Sequence, residues 1–269
     1  MQRGAAEGWK SRPLTYRSAR GTCMMGGMKI LNLACGTKTS SKPEVLNIDW
    51  SAYLRIRKSP ILRAGVRLLL SGDRLERYRG MPGNIMLHDL RKQLPFAPES
   101  VDAVYHSHFL EHLDRDFAEE LLLEIKRVLK AGGVQRIVVP DFERVCREYL
   151  THISECGKNP AEASRHDHYI AAIIEQSVRR EAHGTSRQKP LSRFIENALL
   201  GDARRRGETH QWMYDRINLP ALLLRLGYRD IRLQTHSSSL IPDWYRYGLD
   251  LDSQGREYKP ASLYVEALK

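Results

Sequence analysis

The chain has 269 residues, 42% of them hydrophobic, and a formal net charge of +11. That size suits one large α/β domain, or one domain with a modest insertion. No apolar run approaches the roughly 20 residues of a membrane-spanning helix, and the first residues lack the apolar stretch of a secretory signal.

The charge is unevenly placed. Of 43 Lys and Arg and 32 Asp and Glu, residues 1–80 hold 16 and 5, so residues 81–269 hold 27 of each. A basic face spread over the whole fold for nucleic acid is therefore not expected. Residues 1–27, rich in Gly, Ser and Arg, read as a disordered basic extension. Cys23, Cys35, Cys146 and Cys156 form no CxxC pair. They read as reduced thiols of a cytoplasmic protein, with no disulfide framework, zinc knuckle or other metal site expected.

Short apolar runs predict buried parallel strands over 28–34, 45–49, 84–88, 101–106 and 134–139, the last stopped by Pro140. Between the fourth and fifth lies the clearest helix. Asp114 is its expected N-cap and Gly132-Gly133 its expected end. Phe117, Leu121, Leu122, Ile125, Val128 and Leu129 share one face of it. Strand, helix, strand implies a right-handed parallel crossover. Residues 141–210 break the rhythm. They are polar and mostly helical, with apolar spots at residues 169–170, 173–174, 194–195 and 199–200, and read as an inserted cap. A helix over 217–226, ended by Gly227, precedes a strand pair over 230–235 and 262–267. The expected fold is α/β: a Rossmann-like, doubly wound, mostly parallel seven-stranded sheet. Residues 28–140 form its core, 141–210 a helical insertion between strands 5 and 6, and 211–269 the rest of the sheet.

Residues 51–80 separate the second and third strands by a long excursion mixing Leu54, Ile56, Ile61 and Leu62 with Arg55, Arg57, Lys58 and Arg63. A basic amphipathic helix here allows peripheral contact with an anionic membrane face. The favoured reading packs it on the domain and solvates its arginines. Arg204, Arg205 and Arg206 read as a solvated turn.

Ligands of open α/β sheets bind beyond the C-terminal strand ends, where strand order reverses. The first strand ends at Ala34-Cys35-Gly36, a turn whose glycine lets backbone N–H groups approach a ligand. Asp49 ends the second and offers a carboxylate to a ribose diol. Asp89 follows the third and can accept from an adenine amine, with Trp50 and Leu90 sandwiching the base. His106 and Ser107 end the fourth. Together these describe a slot for a nucleoside.

Residues 31–36 (LNLACG), 47–49 (NID), 89–96 (DLRKQLPF), 100–112 (SVDAVYHSHFLEH) and 123–133 (LEIKRVLKAGG) stand in an order that resembles class I S-adenosylmethionine-dependent methyltransferases. The resemblance spans about 28–140. It implies S-adenosyl-L-methionine as cofactor, with Ala34, Cys35 and Gly36 around its methionine part, Asp49 on the ribose, Asp89 on the adenine, and His106 and Ser107 as walls near the sulfonium. Residues 210–215 (HQWMYD), 249–252 (LDLD) and 259–266 (KPASLYVE) resemble, more loosely, a bacterial branch associated with glycan and cell-surface polysaccharide synthesis. The family pattern is departed from at Asn32, Ala34, Lys38 and Thr39.

Methyl transfer needs an acceptor aligned behind the methyl group, exclusion of water, and a base for the acceptor's proton. The expected acceptor is a hydroxyl oxygen of a sugar, glycan precursor or small metabolite. His210 is the first choice of base, because imidazole titrates in the useful range; Asp141 follows, then His112. Trp212, Tyr214 and Asp215 are candidate acceptor contacts. Three alternatives stay open. A nucleic-acid methyltransferase is disfavoured because Pro140-Asp-Phe-Glu143 stands where amino-group methyltransferases carry Asn-Pro-Pro-aromatic. The sparse glycine loop leaves room for a non-catalytic methyl-donor binder. His108, Glu111 and His112 match the H-x-x-E-H pattern of zinc hydrolases, a remote reading because the segment directly follows a strand.

Overall fold

A computed structural model describes residues 27–66, 72–176 and 209–269. Most of the extension expected at the N-terminus lies outside these, as do residues 177–208 of the expected cap, Arg204–Arg206 among them. Seven strands form one sheet: β1 (Ile30–Leu33), β2 (Val45–Asp49), β3 (Ile85–Leu87), β4 (Val101–Ser107), β5 (Leu129–Pro140), β6 (Arg229–Gln234) and β7 (Ser262–Leu268). Their order is β3-β2-β1-β4-β5-β7-β6. The first five are parallel, and β7 runs antiparallel to both β5 and β6. Strand β1 is central and buried on both faces, which explains its near-continuous apolar run.

One face is covered by α4 (Arg115–Val128) and α7 (Asn218–Arg225). Leu121, Leu122, Ile125 and Val128 of α4 pack there with Leu219 and Leu223 of α7 and with Leu31, Leu33, Val104 and Ile137 of the strands. The other face is covered by an irregular segment. Its Ile241, Trp244, Tyr247 and Leu249 pack on Ile30, Ala103, Tyr105 and Tyr264. Arg136, on β5 and fully buried, pins that segment. It bonds Asp250 (2.8 Å), Glu266 (2.7 Å) and the carbonyls of Thr235 (2.7 Å) and Ser238 (3.0 Å).

Two expectations need correction. Helix α4 stops at Val128, four residues before Gly132-Gly133, and β5 begins at Leu129. The glycines serve the strand. Between Val101↔Leu129 and Ala103↔Val134 the register shifts, with Gly132 at φ +73°. A Cβ at Gly133 would stand 2.9 Å from the Lys130 carbonyl and 3.1 Å from that of Asp102, so only glycine fits. The excursion after β2 is also no single helix. It holds α1 (Ala52–Lys58), α2 (Pro60–Ala64) and α3 (Asp73–Gly80). Leu54 faces inward with Cys35, Met81 and Ile85, while Arg57 donates to the carbonyls of Met81 (2.5 Å) and Pro82 (3.2 Å). This is the packed reading. Among the described residues no helix is long and apolar enough to cross a membrane.

Between β5 and β6 stand α5 (Phe142–Lys158), a 3-10 turn (Pro160–Arg165) and α6 (His166–Gln176). Asp141 caps α5 by accepting from Arg144 N (3.3 Å).

Candidate active site at the C-terminal edge of the sheet

Neighbours β1 and β4 are separated in sequence by β2 and β3, so the chain reverses direction across the sheet between them. Their C-terminal ends open the crevice that this topology provides for ligands. On one side lies the turn after β1. Ala34 and Gly36 both have left-handed backbone, at φ +50° and +54°. Cys35 N donates to Ile48 O (3.2 Å) and Gly36 N to Asp49 Oδ2 (2.6 Å), tying the turn to the end of β2. A Cβ at Gly36 would meet no atom within 4 Å, so the turn fronts open space. Asn32 steadies it from behind, donating to Lys38 O and Asn47 Oδ1, both at 2.9 Å. Burial pushes the Asp49 carboxyl up, and amides of Gly36, Trp50 and Ser51 pull it back. Burial, with Asp49 adding, raises the Cys35 thiol to about 12, so it stays protonated and is no nucleophile.

His88 N donates to Asp49 O (3.1 Å), which brings Asp89 and Leu90 beside the end of β2. The Asp89 carboxylate is gripped by Arg91, through Nε (2.9 Å), Nη2 (2.8 Å) and its amide (3.1 Å), and is held below the usual range by that guanidinium. Trp50 is 37% exposed under the Arg55 guanidinium, whereas Leu90 is buried in the main core. The His106 ring is a core group. It is fully buried, meets Gln135 Nε2 at 3.1 Å and stands edge-on to Phe109.

The other side of the crevice follows β4. A 3-10 turn, Leu110–His112, receives the returning segment: Gln211 N (2.7 Å) and Trp212 N (3.2 Å) donate to Glu111 O. This sets the His210 ring 4.8 Å from that of His112. The start of β7 supplies Ser262, whose hydroxyl donates to Lys259 O (2.8 Å) and therefore accepts from His108 Nε2 (2.8 Å). His112 Nδ1 donates to Thr209 O (3.3 Å). In consequence, the lone pairs of His108 Nδ1 and His112 Nε2 face Glu111 Oε1, at 3.6 and 3.8 Å. Those gaps exceed a hydrogen bond.

Glu111 is 2% exposed and neither carboxyl oxygen has a hydrogen-bond partner. Burial raises it to about 8 and lowers His108 to about 3 and His112 to about 4. All three are neutral at pH 7, so these contacts are not ion pairs. The proton on Glu111 relieves the convergence of electron-rich atoms on its carboxyl.

The helical geometry needed by the H-x-x-E-H reading is absent. His108 has φ +49°, and a 3-10 turn begins only at Leu110, so the two imidazoles are not stacked one turn apart on a long helix. At this end of the sheet the groups that approach within 4.8 Å of one another, close enough to share an ion, are Glu111, His112 and His210. Asp141 has its carboxylate on the α5 cap. Asp215 lies just before α7, its Oδ1 accepting from Ile217 N and Asn218 N, both at 2.8 Å. Tyr214 is buried, and Trp212 lies under Arg115 at 4.3 Å. Both line a groove of about 320 Å³ with Glu119, Asn218 and Arg225. Sequence reasoning missed Lys259, whose charge reaches Glu111, and Ser262. It also missed Lys38, which bonds Leu251 O and lies 4.4 Å from the Tyr258 ring centroid. Only the loose likeness over 249–266 pointed toward that part of the chain.

A sheet ordered 3-2-1-4-5-7-6 with β7 antiparallel is the topology typical of the methyltransferase fold. Residues 31–137, from β1 into β5, match a family described as a methyltransferase domain. The protein carries an S-adenosylmethionine-dependent methyltransferase domain, and S-adenosylmethionine is its methyl donor. Similar solved structures include a SAM-dependent methyltransferase from Archaeoglobus fulgidus, 14% identical, covering 91% of this chain and 87% of that one with a TM-score of 0.39. An S-adenosylmethionine-dependent methyltransferase from Mesorhizobium loti is 17% identical, with 91% and 92% covered and a TM-score of 0.38. A third, from Methanosarcina mazei, is 16% identical, with 90% and 92% covered and a TM-score of 0.40. A comparison with curated proteins finds no match.

Proposed function

We propose that the protein methylates a hydroxyl oxygen of a sugar, glycan precursor or small metabolite. The observation that carries this reading is the meeting of His112 and His210 over Glu111, at the end of the strand beside the donor turn. The donor side fits S-adenosylmethionine. The turn at Ala34, Cys35 and Gly36 fronts open space, and Asp49, already fixed by Gly36 N, keeps acceptor capacity for a ribose diol. Asp89 takes the adenine amine once Arg91 releases it, and Trp50 covers one face of the base. His106, through its backbone, and Ser107 wall the sulfonium side.

Bound there, S-adenosylmethionine supplies a methyl group already activated on a sulfonium. The chain's own task is the proton. A hydroxyl is a poor nucleophile at neutral pH, and an imidazole within hydrogen-bond reach relieves it of its proton as the new bond forms. His210 takes that role, with His112 behind it. Asp141 falls back because it caps α5. Trp212 supplies an aromatic wall. Tyr214 and Asp215 act by holding the returning segment in place. The sugar or glycan class rests on the likeness over 210–215, 249–252 and 259–266, whose Lys259 and Ser262 border the site.

Radiolabel transfer from S-adenosylmethionine into fractionated glycans, lipids, small metabolites, RNA and protein tests the reading. Label in the sugar-containing or small-metabolite fraction is expected. Label confined to RNA would replace this acceptor class. Donor binding with no transfer into any fraction would mark a non-catalytic binder.

A further inference from the structure

Helix α5 is 17 residues long, and its one buried residue is His152, 1% exposed. A helix normally docks through aliphatic side chains; α5 meets α6 through an imidazole. The His152 ring lies 4.1 Å from Tyr169 and 5.4 Å from His166, both on α6. Cys156 stands one helical turn beyond His152 and so shares its face. The Nδ1 atoms of His152 and His166 are both buried without a hydrogen-bond partner. Such orphaned groups in a native fold call for an explanation.

The geometry supplies one. Cys156 Sγ lies 3.5 Å from His152 Nε2. Tetrahedral zinc, with arms of about 2.3 Å to sulfur and about 2.05 Å to nitrogen, sets those two atoms about 3.5 Å apart. The His152 and His166 rings stand 5.4 Å apart with near-parallel planes, so the His166 ring turns to bring a nitrogen lone pair onto the ion. Ligand atoms of His152, Cys156 and His166 all lie within 4.8 Å of one another. Behind His152, Glu155 Oε2 stands 3.6 Å from Nδ1, too far for a hydrogen bond here but on the side from which a carboxylate orients a metal-ligating histidine. A cleft of about 690 Å³, lined by Thr151, His152, Glu155, His168 and Tyr169, reaches the His152 side of the cluster.

We propose that His152, Cys156 and His166 bind a zinc ion that fastens α5 to α6, with solvent as the fourth ligand. Thiolate and imidazole together select a borderline-soft ion over magnesium or calcium. The Cys156 thiol gives its proton to solvent on binding. The site is separate from the methyl-transfer crevice and stands or falls independently of it. It departs from the sequence-based expectation that the cysteines bind no metal. The spacing H-x3-C-x9-H has no CxxC signature, and His166 arrives only through the turn at Pro160–Arg165.

The test uses the full chain, reduced and stripped with a chelator, titrated with Co²⁺. One equivalent should produce a thiolate-to-cobalt charge-transfer band together with tetrahedral visible bands, and Zn²⁺ should displace it. C156S should abolish the charge-transfer band, H166A should weaken binding by more than tenfold, and E155Q by about tenfold. An ion at Glu111, His112 and His210 has no sulfur ligand and gives no such band. If stripping precipitates the protein, native mass spectrometry of the purified chain takes over. Wild type should then carry one zinc that C156S lacks. Absence of the band at stoichiometric cobalt, its persistence in C156S, or zinc content unchanged by C156S would overturn the proposal.

Discussion

Replacing Asp49 with asparagine isolates the donor cleft. In the native protein Asp49 Oδ2 accepts from Gly36 N at 2.6 Å, which leaves the other oxygen for the proposed ribose contact. Asparagine has one oxygen and one NH₂ group. If its oxygen keeps Gly36, the NH₂ faces the diol and the charge-assisted acceptance of two hydroxyls is lost. Each such bond contributes about 1.5–3 kcal/mol, and the NH₂ recovers part by donating to a hydroxyl oxygen. A net loss of about 2–3 kcal/mol follows, or roughly 30- to 150-fold in Kd. Fold stability should move the other way. Burial raises the native Asp49 pKa, so its ionised form costs stability, increasingly as pH climbs from the unfolded value through the folded one. D49N removes that cost. Calorimetry with S-adenosylmethionine and its demethylated product, beside thermal melts of the free protein, reads both effects. A D49N protein that melts like wild type and binds the donor within threefold of it would remove Asp49 from the cleft.

H210A should retain donor affinity and lose at least 100-fold in transfer rate, the usual scale for a positioned base; unchanged turnover would dismiss His210 from the mechanism. Glu111, raised to about 8, stays protonated in the native state while the unfolded carboxyl ionises near 4.5, so its contribution to stability falls from pH 4.5 to 8. E111Q should flatten that fall and gain a few kcal/mol at pH 8; urea titrations parallel to wild type at pH 5, 6.5 and 8 would contradict it. His108 and His112 act oppositely. They remain neutral down to about 3 and 4 while the unfolded rings protonate near 6.5, so each costs about 1.4 kcal/mol per pH unit as acid is added below 6.5. H112N should shallow that acid limb, and an unchanged limb would show that His112 is not held neutral. D250N strips the fully buried Arg136 of one carboxylate and should cost about 3–5 kcal/mol in denaturant melts; a loss below 1 kcal/mol would mean the network relaxes without it.

The strand ends that carry the proposed donor half of the site were legible because their signals are local. A strand running into Ala34-Cys35-Gly36, and strands ending at Asp49 and near Asp89, announce themselves within a few residues each. The contact from Gly36 N to Asp49 follows from parallel register, since β1 and β2 pair in step from Ile30↔Val45 onward. The acceptor half was legible only in pieces. His112 and His210 are 98 positions apart, and nothing periodic joins them. Helical spacing grouped His108 with His112 instead, and a left-handed residue at His108 spoiled that spacing. The glycine pair at 132–133 looked like a helix stop because glycine serves stops and crowded strands alike. Only the Asp102 and Lys130 carbonyls distinguish the two.

Apolar runs and turn residues determined the α/β architecture and the strand ends, because backbone sterics and burial act over a few residues at a time. Tertiary structure alone decided what stands opposite the donor turn. Glu111, His210, Lys259 and Ser262 meet because Glu111 O anchors the returning segment and β7 enters antiparallel beside β5. The pKa shifts of Glu111 and Lys259 arise first from desolvation at that meeting point, a property of the assembled layers that no stretch of sequence carries by itself.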